Sequence, residues 1–216
     1  MYRLGGLVIM LLLAAISAAA AQKRPLASVD RTIAGLVPPL RFRMKDVETG
    51  KTVTAADFRG KVVMLFFGFT NCGDECPFTQ YRVEQVLKTL GPLAARVAFL
   101  FVTVDPYRDT PPVLRHYVGL FGPHMVGLRG TPNQLFRLAR RYRVVFSVHR
   151  SKNPAHYTVT HSAAVYVFGA HGDARFMITK LGVALKPDIA GIAHDLRALV
   201  LHPRPRELLD RLAGFG

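Results

Sequence analysis

Val62-Val63-Met64-Leu65-Phe66-Phe67 is a run of consecutive residues with no polar side chain, introduced by Gly60-Lys61. Successive residues of a strand point to opposite sides, so a strand made of this run has no face to offer water. It suits a sheet covered on both sides by helices, as in α/β proteins. A second apolar run, Val97 to Val104, follows, and between the two Val83, Val86, Leu87 and Leu90 fall on one helical stripe. Strand, helix, strand in that order predicts a parallel pair joined by a right-handed crossover. Half of the residues are apolar, enough to bury a sizeable core.

The flanking segments extend this plan. Leu40-Arg41-Phe42-Arg43-Met44 alternates apolar and polar as a half-exposed strand does, and Thr52-Val53-Thr54 pairs back across the turn Glu48-Thr49-Gly50-Lys51. Pro111-Pro112 opens a helix carrying Val113, Leu114, Tyr117, Leu120 and Phe121; Thr131-Pro132 opens another with Leu135, Leu138, Ala139 and Tyr142 inward. Ser162 to Phe168 reads as a strand, His171-Gly172-Asp173 as a tight turn, and Phe176 to Leu181 as the returning strand. Pro187 opens a final helix with Ile189, Ile192, Ala193, Leu196, Leu199 and Val200. The expected fold is α/β: a thioredoxin-like sandwich with a central mixed sheet flanked by helices and an N-terminal hairpin.

Residues 1–21 have the layout of a secretory signal: a positive lead at Arg3, an apolar run from Leu4 to Ile16, and small residues before Gln22. The same stretch is long enough to serve as an uncleaved membrane anchor. Either way the rest of the chain is delivered to an oxidising compartment. Residues 22–36 read as a linker, 37–201 as the folded domain and 202–216 as a basic tail. The formal net charge is +15, with the basic residues dispersed except for Arg137, Arg140, Arg141 and Arg143. That cluster reads as a solvated helix face, with anionic lipid or an acidic partner surface as the sharper alternative. Export and the lack of a base-reading motif argue against nucleic acid.

The chemistry concentrates where the first buried strand meets its helix, in Phe67-Gly68-Phe69-Thr70-Asn71-Cys72-Gly73-Asp74-Glu75-Cys76-Pro77. Open α/β sheets place ligand sites at the carboxyl ends of parallel strands, where these cysteines fall. With Pro77 as the first helical residue, Cys76 is expected at the cap, where the helix dipole favours a thiolate. Asp74 and Glu75 oppose that ionisation, and a bound cation resolves the conflict. Asp105 and His161 are expected at the same sheet edge. Two thiolates and an imidazole suit a soft metal, copper(I) above copper(II), whereas a structural zinc site wants a fourth ligand. A simple Cys72–Cys76 disulfide is the competing reading. His116, His124, His149, His156, His171, His194 and His202 are taken as structural or surface residues.

These segments resemble the Sco/SenC family of copper proteins over roughly Phe42 to Leu199. The resemblance rests on ordered, separate motifs. They are Asp57-Phe58-Arg59-Gly60-Lys61, the Phe67-to-Pro77 segment, Val104-Asp105-Pro106-Tyr107-Arg108-Asp109-Thr110-Pro111, Gly130-Thr131-Pro132 and His161-Ser162-Ala163-Ala164. It implies copper bound by Cys72, Cys76 and His161, with Asp105 tuning the site and Cys72 and Cys76 forming a disulfide when oxidised. It further implies a role in maturing the dinuclear copper centre of cytochrome c oxidase. The partners would be the oxidase's copper-site subunit, other copper chaperones or a thiol reductant. With the export segment, the expected location is the periplasm or the periplasmic face of a bacterial inner membrane. Gly73 stands where the family often has proline, and Thr160 where it often has aspartate; neither change removes a ligand. Two functions follow: a copper-binding assembly factor, or a thiol–disulfide reductase that keeps another protein's copper-ligating cysteines reduced. A peroxidase is a distant third.

Overall fold

The apolar run forms β4 (Val62–Gly68), every residue of which is buried. The computed structural model describes residues 31–149, 157–179, 181–183 and 186–203; the expectations for residues 1–30, His156 and most of the C-terminal tail lie outside the described residues. Val62, Met64 and Phe66 face one core, and Val63, Leu65 and Phe67 face a second on the other side of the sheet. The first core is closed by α1 (Glu75–Leu90), α2 (Pro111–Gly119) and α4 (Ile189–Leu201). The second is closed by α3 (Pro132–Arg141) and by the segment carrying Ile33, Leu40, Phe42 and Met44. A fully buried Val, Leu or Phe contributes roughly 1.5–3 kcal/mol, so two apolar faces per strand are what hold these layers.

β4 runs parallel to β5 (Val97–Thr103), and β5 parallel to β6 (Met125–Arg129). On the other flank β4 pairs antiparallel with β9 (Val165–Phe168), which turns into β10 (Ala174–Ile178). The edges are β1 (Arg31–Thr32) beside β10, and the hairpin of β2 (Arg43–Asp46) and β3 (Thr52–Thr54) beside β6, giving the order β1-β10-β9-β4-β5-β6-β2-β3. This is the mixed, helix-covered thioredoxin-like sheet expected from the sequence. Among the described residues no helix is long and apolar enough to cross a membrane.

Several local expectations change. The stretch expected as a linker, residues 22–36, ends in β1 and Ile33, which join the sheet and the second core, and the Leu40-to-Met44 segment becomes strand only from Arg43. Strand β6 was not anticipated. Helix α2 turns Leu114 and Val118 inward and leaves Val113 and Leu120 exposed. His161 does not begin the strand that enters the sheet: it ends β8 (Thr158–His161), which pairs with β7 (Phe146–His149) in a two-stranded ribbon of its own. Ser162 continues that ribbon by donating its N–H to Val145 O at 2.9 Å, and the main sheet resumes only at Val165.

Candidate metal centre

The loop after β4 is fixed from below by Asp109. Its carboxylate accepts the backbone N–H of Thr70 at 3.1 Å, the Thr70 hydroxyl at 2.6 Å and the Thr103 hydroxyl. Burial holds the Asp109 pKa up, partly offset by these donors. Gly68 fits at the mouth of the strand because a Cβ there would lie 2.8 Å from the Phe101 ring and 2.9 Å from that of Phe66. The loop then delivers Cys72, half-buried, and α1 delivers Cys76, fully buried.

Asp74, not Cys76, is the N-cap of α1, so Cys76 and Pro77 both lie in its first turn. Proline is tolerated there because the N–H groups of a first turn have no helical acceptor. The ionisation also departs from expectation. Cys72 carries the thiolate, its pKa lowered to about 4, chiefly by the hydrogen bond from the Cys76 thiol and then by His161, against the cost of burial. Cys76 is pushed the other way, because it donates to that thiolate and is itself buried. The pair holds one proton between two sulfurs, so the charge sits on the sulfur nearer to solvent.

His161 arrives from the ribbon. Its Nε2 stands 3.3 Å from Cys76 Sγ and 4.0 Å from Cys72 Sγ. Its Nδ1 lies 3.2 Å from the Ser162 carbonyl oxygen. Since a carbonyl can only accept, Nδ1 donates to it, and Nε2 is the nitrogen turned towards the sulfurs and the one that would offer a lone pair to a metal. The rings of Phe66 and Phe69 meet the imidazole edge-on, at 5.8 and 5.7 Å between centroids, and keep it from swinging.

The three ligand atoms lie within 4.8 Å of one another. With thiolate and imidazole bonds of about 2.3 and 2.0 Å, a three-coordinate ion needs sulfur and nitrogen about 3.7 Å apart. The observed separations bracket that value, so a metal ion fits after shifts of a few tenths of an ångström. The donor set, two soft sulfurs and an imidazole, matches copper. The other described histidines stand outside this group; His149 instead bonds Ser147 at 2.9 Å within the ribbon.

Asp105 is not among the clustered donors. Its carboxylate is held by the Arg108 guanidinium and by the Tyr157 hydroxyl, the latter at 2.5 Å. Arg108 in turn donates from Nη1 to the Tyr157 carbonyl at 2.9 Å, and its guanidinium lies 3.9 Å from the centroid of the Tyr157 ring. Burial and then Asp105 push the Tyr157 hydroxyl up to about 12, so it stays a donor. Arg108 and Tyr157 had not been singled out from the sequence; the one available signal was Arg108 within the Asp105-to-Pro111 segment. Together the three side chains fasten the start of β8 to the loop after β5. Thr160, next to His161, bonds Ser147 at 2.9 Å and so ties β8 to β7 rather than facing the sulfurs.

The SCO1/SenC family model matches residues 41–199, most of the chain and all three clustered donors. The chain belongs to the SCO1/SenC family. Among its relatives, the bovine (Bos taurus) mitochondrial SCO2 homolog is 40% identical over 125 residues, covering 57% of this chain and 47% of that protein. This Sco-family chain therefore spans about half the length of the curated relatives it matches. Among solved structures, copper-bound ScoI of Bradyrhizobium japonicum is 32% identical with a TM-score of 0.65, covering 74% of this chain and 98% of the other. Copper-bound yeast Sco1 is 29% identical with a TM-score of 0.69, covering 80% and 93%.

Proposed function

We propose that this protein is an exported copper-binding assembly factor that carries copper on Cys72, Cys76 and His161 to the dinuclear copper centre of cytochrome c oxidase. The observation that carries the reading is the convergence of two sulfurs and an imidazole lone pair from separate elements, on a fold shared with copper-bound Sco proteins. On binding copper(I) the Cys76 proton would be released, the two thiolates would leave the centre with one net negative charge, and a single imidazole would complete a low coordination number. An incoming thiolate of the receiving subunit then has room to enter before one of these ligands leaves, which permits transfer by stepwise exchange. Cys72, half-buried and already ionised, is the sulfur that meets the ion or the acceptor first. The mitochondrial and bacterial relatives accord with a site on the outer side of an energy-coupling membrane, to which residues 1–21 would deliver the chain.

Copper binding by the reduced full chain under anaerobic conditions, compared with His161→Ala, tests this directly. One copper per chain is expected, with affinity lower in the variant by more than about a hundredfold, since even residues behind the ligands cost 10–100-fold. Equal affinity in both removes His161 from the site.

A second reading has its own support: a thiolate as accessible as Cys72 beside a buried thiol is also a reductant. Cys72 would attack a disulfide of the target, and Cys76 would then displace the reduced target, leaving the Cys72–Cys76 disulfide. Stoichiometric reduction of a copper-free target that persists in His161→Ala would favour this chemistry.

A further inference from the structure

On the far side of the molecule's second core, β2 and α3 form the walls of a groove of about 540 Å³. Arg41 and Arg43 line it from the β2 side, and Arg137, Arg140 and Arg141 from α3. No carboxylate lines it, and among the described residues none of these five arginines is ion-paired. The helix dipole explains basic residues in the last turn of α3, Arg140 and Arg141, but not the other three.

The walls are also fastened together. The Arg41 N–H donates to the Tyr142 hydroxyl at 2.8 Å, Gln134 donates to the Arg43 carbonyl at 3.2 Å, and Arg141 donates from Nη2 to the Pro39 carbonyl at 3.0 Å. Tyr142 is itself 1% exposed, so the backbone that carries Arg41 is anchored to the core. The Arg141 Nε is shut off from water with no acceptor. Five arginines thus line one groove on anchored backbone with no carboxylate among them, while Phe42, Met44 and Leu138 give the groove an apolar floor.

We propose that this groove is a binding site for a phosphate-bearing anion, independent of the copper site. Guanidinium forks match phosphate oxygens two at a time, and convergent arginines hold a doubly charged group better than a single carboxylate. The shared chemistry is the phosphate itself, supplied by an anionic lipid headgroup or by a soluble phosphate ester.

The test uses the full chain in a neutral detergent, titrated by calorimetry with inorganic pyrophosphate and separately with short-chain phosphatidylglycerol below its micellar concentration. Saturable binding of pyrophosphate at one site per chain is expected. It should weaken by about tenfold per arginine removed in Arg41→Gln and Arg137→Gln. The same charge removed elsewhere, in Arg59→Gln and Arg96→Gln, should leave it unchanged. Arg137→Lys, which keeps the charge and loses the fork, should fall between. Displacement of pyrophosphate by phosphatidylglycerol assigns the site to a headgroup; binding of pyrophosphate alone assigns it to a soluble phosphate. Absence of saturable binding, equal loss in groove and control variants, or tighter binding of a hexaglutamate peptide than of pyrophosphate would each overturn the proposal.

Discussion

A single proton shared by Cys72 and Cys76 gives two chemically different sulfurs on one turn of chain. The Cys76 sulfur keeps the proton because it is buried, and it lends that proton as a hydrogen bond to Cys72, which is thereby held ionised. An ordinary thiol gains thiolate tenfold per pH unit below its pKa. With its pKa lowered to about 4, Cys72 is fully ionised well below neutrality, so its reactivity should be flat between roughly pH 5 and 8 and fall only as pH drops towards the lowered value. Iodoacetamide alkylation of the reduced, metal-free chain, followed by mass spectrometry across that range, reads this out. A tenfold rise per unit at Cys72 would mean an unperturbed thiol. Cys72 and Cys76 were legible in the sequence because cysteine is chemically distinctive and the buried β4 places them at one sheet edge, whereas His161 reaches that edge from a ribbon that the strand pattern does not show. Which sulfur carries the charge was not legible, since it depends on the relative burial of two neighbours in the chain.

Between elements, the decisive join is the one from the β5–α2 loop to β8, made by Asp105, Arg108 and Tyr157. It acts on the site through the position of His161. Tyr157→Phe keeps the ring under Arg108 and deletes only the bond to Asp105. Copper affinity is expected to fall about tenfold, as for other groups that orient a ligand, with an altered copper absorption spectrum and little change in unfolding midpoint. An unchanged spectrum and affinity would show that the ribbon is held well enough without it. No sequence pattern reveals this join, because its partners stand 49 and 52 residues apart. Strand β8 escaped notice for a related reason: Thr158-Val159-Thr160-His161 has only Val159 buried, so it lacks an apolar signature. The short Met125–Arg129 strand carries Gly127, whose Cβ would meet Val47 at 2.7 Å, so close packing there selects against the side chains that advertise a strand. The fully buried β4 and β5 were legible because burial on two faces writes itself into consecutive residues, and the alternation of Leu40 to Met44 gave its buried face although the strand itself is Arg43–Asp46.

For the whole molecule, the excess of 29 basic over 14 acidic residues sets a general repulsion that packing must overcome. Raising ionic strength from about 10 to 150 mM shortens the screening length from roughly 30 to 8 Å. The unfolding midpoint of the full chain should therefore rise, by about 2–4 °C if the relief approaches 1 kcal/mol. A midpoint that falls with chloride would show that specific ion pairs outweigh the net charge. At equal ionic strength phosphate should raise it further than chloride if the arginine groove is occupied.

The ribbon of β7 and β8 stands outside the eight-stranded sheet, yet it supplies one of the three donor atoms. An ion held by all three would be a rivet through two parts of the chain, added to the Asp105–Arg108–Tyr157 clasp, the packing of His161 against Phe66 and Phe69, and the burial of Val159 in the second core. Loaded and empty forms then differ in stiffness as well as in content. The hairpin is therefore the part of the fold whose rigidity depends on whether the three donors are bridged.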